Sequence, residues 1–154
     1  MVHFTEIDGS WTERIAARRG EMIVSRGQAH RVRQLPGYVA EEIGDIAGLV
    51  LYRMADTECE IVALNSYCEN QGIGTRLIDL VRQKAIAESC RRLWLITTND
   101  NIRAIRFYQL CGFDMKHLHY DAVEQARKIK PSIPLRSAEG IPIRHEIEFE
   151  IRFE

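Results

Sequence analysis

Between Glu58 and Ile96 the chain carries a strand, a glycine turn, an amphipathic helix and a second strand in unbroken succession, and few folds accommodate that order. From Gly74 to Glu88, polar Thr75, Arg76, Asp79, Arg82 and Gln83 fall on one side, while Leu77, Leu80, Val81 and Ala85 line the other. Leu93-Trp94-Leu95-Ile96 then reads as a strand covered on both faces. A strand, a crossover helix and a strand imply a right-handed connection and a parallel pair. Upstream, Gly37 to Glu42 and Ile46 to Met54 meet across Gly44-Asp45 as a β-hairpin, and a hinge at Ala55-Asp56 leads to a third strand, Glu58 to Leu64. An antiparallel meander feeding a crossover gives an α/β chain on a mixed sheet.

The remaining segments fit around that centre. Trp11 to Arg19 is predicted to be a short helix ending at Gly20, followed by a strand from Met22 to Ser25. Asp100 is expected to cap a helix that runs through Cys111 and stops at Gly112. Phe113 to Tyr120 reads as a strand, Asp121 to Ile129 as a helical turn or two, and Lys130 to Pro142 as a loop with three prolines. From Ile143 to Phe153 apolar and charged residues alternate, the pattern of one amphipathic strand. At 154 residues the whole, 1–154, is expected to form a single domain with an ordinary core.

Charge and cysteine usage narrow the partners. Lysine and arginine number 21, aspartate and glutamate 22, so the net charge is −1 and no polyanion-binding bias exists. Arg18-Arg19 and Arg91-Arg92 lack the aromatic interleaving of a nucleic-acid surface. No apolar run reaches a membrane span and Met1 to Ser10 does not resemble a signal peptide, so a cytoplasmic protein is expected. Cys59, Cys68, Cys90 and Cys111 form no Cys-x-x-Cys pair and read as reduced structural thiols. His117 and His119 share a strand face without a third ligand at a convincing spacing, so no metal is expected.

The turn Glu69-Asn70-Gln71-Gly72-Ile73-Gly74-Thr75-Arg76-Leu77 carries the chemistry. Its glycines permit close backbone approach, and the first N–H groups of the following helix lack internal partners at the positive end of the dipole, so an anion site results. A dinucleotide fold needs a third glycine where Leu77 stands, and a mononucleotide P-loop needs Gly-Lys-Ser/Thr where the chain has Gly74-Thr75. Both fail on composition.

Thirty residues on, Asn101-Ile102-Arg103-Ala104-Ile105-Arg106-Phe107-Tyr108-Gln109-Leu110-Cys111-Gly112-Phe113 completes a second motif. Together the two resemble the Gcn5-related N-acetyltransferases (GNAT), which pair a Gln/Arg-x-x-Gly-x-Gly/Ala turn with Asn-x-x-Ala-x-x-Phe-Tyr-x-x-x-Gly-Phe. The resemblance is strongest there and runs back to about Gly37. It implies a mostly antiparallel central sheet with a splayed parallel strand pair and flanking helices, and acetyl coenzyme A as cosubstrate. By that resemblance Gln71, Gly72, Ile73, Gly74, Thr75 and Arg76 hold the pyrophosphate, the backbone of Val62 and Leu64 meets the pantetheine and thioester, and Asn101 binds the pantetheine arm. Glu69 departs from the usual Gln or Arg, and its charge would repel the pyrophosphate.

Acetyl transfer to an amine requires loss of a proton, because an alkyl ammonium of pKa ~10.4 is almost wholly charged at pH 7. Glu58 and Glu60 share a strand face by the period-two rule, and either is a candidate to take that proton directly or through water. Tyr108 matches the family's general acid for the leaving thiolate. The expected reaction is direct attack by a primary amine of a small molecule, peptide or protein, with the acceptor open. Two rivals stand beside it, an acyl-coenzyme-A sensor of the same fold without turnover and an unrelated nucleotide-phosphate binder. The alternating last strand is expected to pair across a subunit boundary in a homodimer.

Overall fold

The computed structural model describes residues 1–67 and 71–154. Along the chain lie β1 (His3–Glu6), α1 (Thr12–Arg19), β2 (Met22–Ser25), β3 (Gln28–Arg31), a 3-10 turn (Val32–Gln34), β4 (Gly37–Glu42), β5 (Asp45–Ala55) and β6 (Glu58–Ser66). Then follow α2 (Ile73–Ala87), β7 (Arg92–Thr98), α3 (Ile102–Leu110), β8 (Asp114–His119), α4 (Ala122–Ile129) and β9 (Glu146–Arg152). The central sheet has the strand order β1-β4-β5-β6-β7-β9-β8, mixed and mostly antiparallel with β6 and β7 as the parallel pair, as the strand-helix-strand order predicts. No helix among the described residues is long and apolar enough to cross a membrane. The chain falls into two compact units, residues 1–23, 30–93 and 152–154 in one and residues 24–29 and 94–151 in the other.

In the first unit the meander follows from its turns. Ile43 and Gly44 both have positive φ (52° and 79°), as do Asp56 and Thr57 (53° and 61°), so each connection is a tight two-residue hairpin matched to strand twist. Trp11, just before α1, and Ile15 within it join Val39, Leu49 and Leu51 of the sheet in one buried cluster, which puts Trp11 in the core. α2 buries Ile73, Leu77 and Val81. Gly48 of β5 admits this helix: a Cβ there would lie 2.7 Å from Ile73 Cγ2 and 2.9 Å from the Asn65 carbonyl oxygen. β5 is therefore buried along most of its length, with cover on both faces.

In the second unit β9 lies between β7 and β8, and an aromatic cluster of Tyr108, Phe113 and Phe149 forms its centre. The Arg127 guanidinium donates to the carbonyls of Pro134 (2.7 Å) and Ile143 (2.6 Å), which pins the proline-bearing loop to α4.

Several expectations are corrected. β1 and β3 carry no sequence signal strong enough to announce them; both are four residues long and mostly exposed. β7 alternates, with Leu93, Leu95 and Thr97 buried and Trp94 and Ile96 half-buried. Asp100 does not cap α3: its Oδ1 accepts from Thr98 Oγ1 at 2.6 Å, and Asn101 occupies the N-cap position without a side-chain capping bond. The last strand spans only Glu146–Arg152, and its charged side is buried, Glu146 at 3%, Glu148 at 7% and Glu150 at 5% exposure. Alternation assigns residues to two faces, but partners decide which face tolerates charge. Arg26 Nη1 lies 3.1 Å from Glu146 Oε1, and His119 Nε2 lies 2.8 Å from Glu148 Oε1. Since β9 has neighbours along both edges, it is not free to pair with a second copy, and β8 ends the sheet.

Gly48→Ala should lower stability by about 1–3 kcal/mol, roughly 2–12 °C in Tm for a chain of this size, because a backbone oxygen and a core side chain must both yield. Gly9→Ala, where an added Cβ meets nothing within 4 Å, should change Tm by less than about 2 °C in the same calorimetric scan.

Candidate active site

The glycine turn adopts the geometry that anion binding requires. Gly72 is left-handed (φ 69°, ψ 13°) at the N-cap of α2, and the first helical bond runs from the Arg76 N–H to the Gly72 carbonyl at 3.0 Å. The N–H groups of Ile73, Gly74 and Thr75 therefore precede the hydrogen-bonded ladder, and no acidic residue sits in the first turn to compete for them. Ile73 is buried, while Gln71, Gly72, Thr75 and Arg76 are exposed, so the core anchors the turn and solvent reaches its donors. An added Cβ at Gly72 would meet nothing within 4 Å, which leaves room above the amides. The Arg76 guanidinium lies 5.9 Å over the Phe4 ring. Glu69, the residue at the atypical motif position, and Cys68 lie outside the described residues.

β6 supplies the next group of candidates. Its pairing with β5 skips a residue: Leu51 faces Ala63 and Tyr52 faces Ile61, so Val62 has no opposite number on β5. This bulge releases Val62 from the regular antiparallel register, while Leu64 remains opposite Val50. Glu58 and Glu60 do share a face, opposite Ala55 and Arg53. Each meets arginine. Glu58 Oε1 lies 3.1 Å from Arg92 Nε and Oε2 lies 3.8 Å from Arg91 Nη2. Glu60, only 2% exposed, has Oε1 3.3 Å from Arg53 Nη1.

One residue of this unit escaped the sequence reading. His30 of β3 is half-buried, and its Nε2 is buried without a hydrogen-bond partner. Burial holds its pKa below the ordinary 6.5, the Glu60 carboxylate opposes that shift and Arg53 reinforces it. A lone histidine in an unrecognised strand offers no periodic or motif signal.

In the second unit, Tyr108 is 9% exposed, and its ring centroid lies 5.5 Å from that of Phe107, 5.7 Å from Phe113 and 5.8 Å from Phe149. Burial pushes its phenol up to about 12, with Cys111 adding in the same direction. It therefore keeps its proton throughout the physiological range. Asn101 opens the same helix with its side chain exposed and uninvolved in capping. His117 and His119 have ring centroids 5.7 Å apart, and no group of three or more His, Cys, Asp or Glu side chains among the described residues is arranged to hold a metal ion. Cys59 is pushed up to about 12 by burial, foremost, and Cys90 upward by the same cause, so neither thiol is a ready nucleophile.

Comparison with known proteins agrees with this geometry. The family model described as "Acetyltransferase (GNAT) family" matches residues 6–113. The uncharacterized protein YdhI of Bacillus subtilis (strain 168) is 45% identical over 130 residues, covering 84% of this chain and 81% of that protein. Among solved structures, a putative streptothricin acetyltransferase from Bacillus anthracis str. Ames in complex with acetyl coenzyme A superposes with a TM-score of 0.73 at 14% identity, covering 100% of this chain and 98% of the other. An IAA acetyltransferase from Bacillus cereus ATCC 14579 does so with a TM-score of 0.72 at 19% identity, covering 99% and 100%. A sheet with this strand order, an exposed amide row at the head of α2 and a family match across most of the chain converge: the chain belongs to the acetyltransferase (GNAT) family.

Proposed function

We propose that residues 1–154 form one catalytic domain that transfers an acetyl group from acetyl coenzyme A to a primary amine by direct attack, in a reducing, cytoplasmic setting. The observation that carries this reading is the row of unladdered N–H groups from Ile73 to Thr75 behind the left-handed Gly72. The amides of residues 71–76 hold the pyrophosphate, and the first turn of α2 brings no acidic side chain against them. Acetyl coenzyme A supplies an acyl group already activated as a thioester. Val62, set free by the bulge, offers a backbone N–H to the oxyanion, a contribution of roughly 10²–10³ in rate for one such donor. Leu64 continues the backbone contacts to pantetheine, and the exposed amide of Asn101 binds the same arm.

Of the two carboxylates on β6, Glu60 is the one we assign to the acceptor's charge; Glu58 is held between two arginines. Tyr108 is our candidate for the hydrogen-bond donor to the leaving sulfur. A phenol at about 12 does not surrender its proton to a thiolate whose conjugate acid lies near ~8.5 in water. Donation becomes favourable as the sulfur gains charge in apolar surroundings that raise its own proton affinity. Burial raises the pKa of Cys59 and Cys90, so neither of these two thiols is a ready acyl carrier.

Acetyl coenzyme A at about 100 times its dissociation constant should add ~2.7 kcal/mol, roughly 5–11 °C in Tm, whereas ATP or ADP at equal concentration should not. Stabilisation by nucleotides alone would overturn the reading, and stabilisation without thiol release from any amine would leave a coenzyme-binding sensor. Tyr108→Phe should reduce turnover at least tenfold with the coenzyme dissociation constant changed less than about twofold, measured by thiol release and calorimetric titration. Unchanged turnover removes Tyr108 from the chemistry.

A further inference from the structure

The pairing of β8 with β9 skips a residue. Met115 lies opposite Phe149 and His117 opposite Glu148, so Lys116 has no opposite number on β9. Without that bulge the two-residue period would put His117 and His119 with Met115 on the Phe149 side of the sheet. With it, both histidines stand on the side of Glu146, Glu148 and Glu150, three buried carboxylates. Glu146 is held by Arg26 at 3.1 Å. Glu148 reaches diagonally past His117, its opposite number, to His119, whose Nε2 lies 2.8 Å from Oε1. An ionised carboxylate only accepts, so Nε2 of the neutral imidazole carries the hydrogen and Nδ1 keeps the lone pair. The two histidine ring centroids are 5.7 Å apart. Two imidazoles on one ion, with metal–nitrogen bonds of about 2.0–2.1 Å, stand roughly 4.5–5.5 Å apart centre to centre. A small rotation of the exposed His117 ring closes that difference.

We propose that His117 and His119 chelate a divalent transition-metal ion of the zinc and copper class at the outer strand of the sheet. Glu148 fixes the His119 ring through Nε2 and leaves Nδ1 to the ion. The arrangement differs from a chance pair of surface histidines in two respects. The bulge at Lys116 turns both rings to the carboxylate side, and a carboxylate only 7% exposed stands behind one of them. A carboxylate hydrogen-bonded to a ligating imidazole sets its tautomer and orientation and makes the ring a better donor. Imidazole nitrogen suits zinc, copper and nickel, whereas magnesium and calcium take oxygen ligands. No third histidine, cysteine, aspartate or glutamate side chain among the described residues completes the set, so water fills the remaining positions. Because β8 ends the sheet, solvent reaches the ion from its free edge. All of these residues belong to the second unit, and the site stands independently of the acetyl-transfer reading.

The full chain, untagged and stripped of metal with a chelator, is titrated calorimetrically with Zn2+, Cu2+ and Mg2+. A His3→Gln background keeps the exposed His3 from competing. One equivalent of Zn2+ or Cu2+ should bind, Cu2+ the more tightly, and Mg2+ should give no heat. In that background His117→Gln and His119→Gln should each weaken Zn2+ binding at least about tenfold, and Glu148→Gln should weaken it by about 10–100-fold. In 15N-histidine NMR at mildly alkaline pH the metal-free chain should show the Nε2–H form of His119. Added Zn2+ should shift Nδ1 of that ring while the Nε2–H remains. If Glu148→Gln does not fold, the spectrum decides alone, and a zinc shift at His119 Nε2 overturns the arrangement. Full Zn2+ affinity in a folded Glu148→Gln would mean an adventitious ion only and overturns it as well. So does Zn2+ binding that ignores both histidine substitutions, or no Zn2+ binding at all.

Discussion

The approach of α2 to β5 at Gly48 is the contact on which the first unit's chemistry depends. Ile73 and Leu77 press into the space that a side chain at residue 48 would fill, with the Asn65 carbonyl on the same boundary. The first turn of the helix is thereby seated in the core through Ile73 while its amides stay outside. A helix N-terminus is useful to an anion only if its donors are held still and left unpaired. Gly72 meets the second condition by turning the chain through a left-handed conformation, and the close packing behind it meets the first. The bulge at Val62 works in the same sense on the neighbouring strand, exchanging regular pairing for a backbone group with freedom to serve a ligand.

Charge is handled differently. The molecule is nearly neutral overall, yet it buries Glu60 in the first unit and Glu146, Glu148 and Glu150 in the second. Arg53, Arg26 and His119 stand against three of these carboxylates. Burying an ion is tolerable where a counter-ion or hydrogen-bond donor goes with it. In the first unit burial holds the His30 imidazole below its ordinary pKa and pushes Tyr52 and Cys59 above theirs, so desolvation favours the neutral form of each.

The meander, the crossover and the positions of α2 and α3 were legible because each rests on local chemistry. Turn residues able to take positive φ fall between apolar runs, and one helical period separates polar from apolar sides between Thr75 and Ala85. β1 and β3 were invisible because four mostly exposed residues apiece carry no period; β1 finds its partner far along the chain in β4, while β3 folds back on the neighbouring β2 across Arg26-Gly27. Asp100 reads as a cap by type and spacing, yet its carboxylate is taken by Thr98 two residues back. Local propensity names what a side chain is able to do, and competition among neighbours selects what it does.

By itself, the amino-acid order determined the central meander, crossover helix and parallel strand, the glycine turn at Gly72 and the second motif ending at Phe113, since all of these depend on residues adjacent along the chain. Only the tertiary structure decided which face of β9 would be buried, which arginine would claim Glu58 or Glu60, and that His30 would bury a ring nitrogen without a partner. The physical reason is range. Dihedral preference and hydrophobic period act over a few bonds and can be read from a string of letters. Desolvation and Coulomb pairing depend on groups brought together from distant positions, and their balance exists only once the chain has folded.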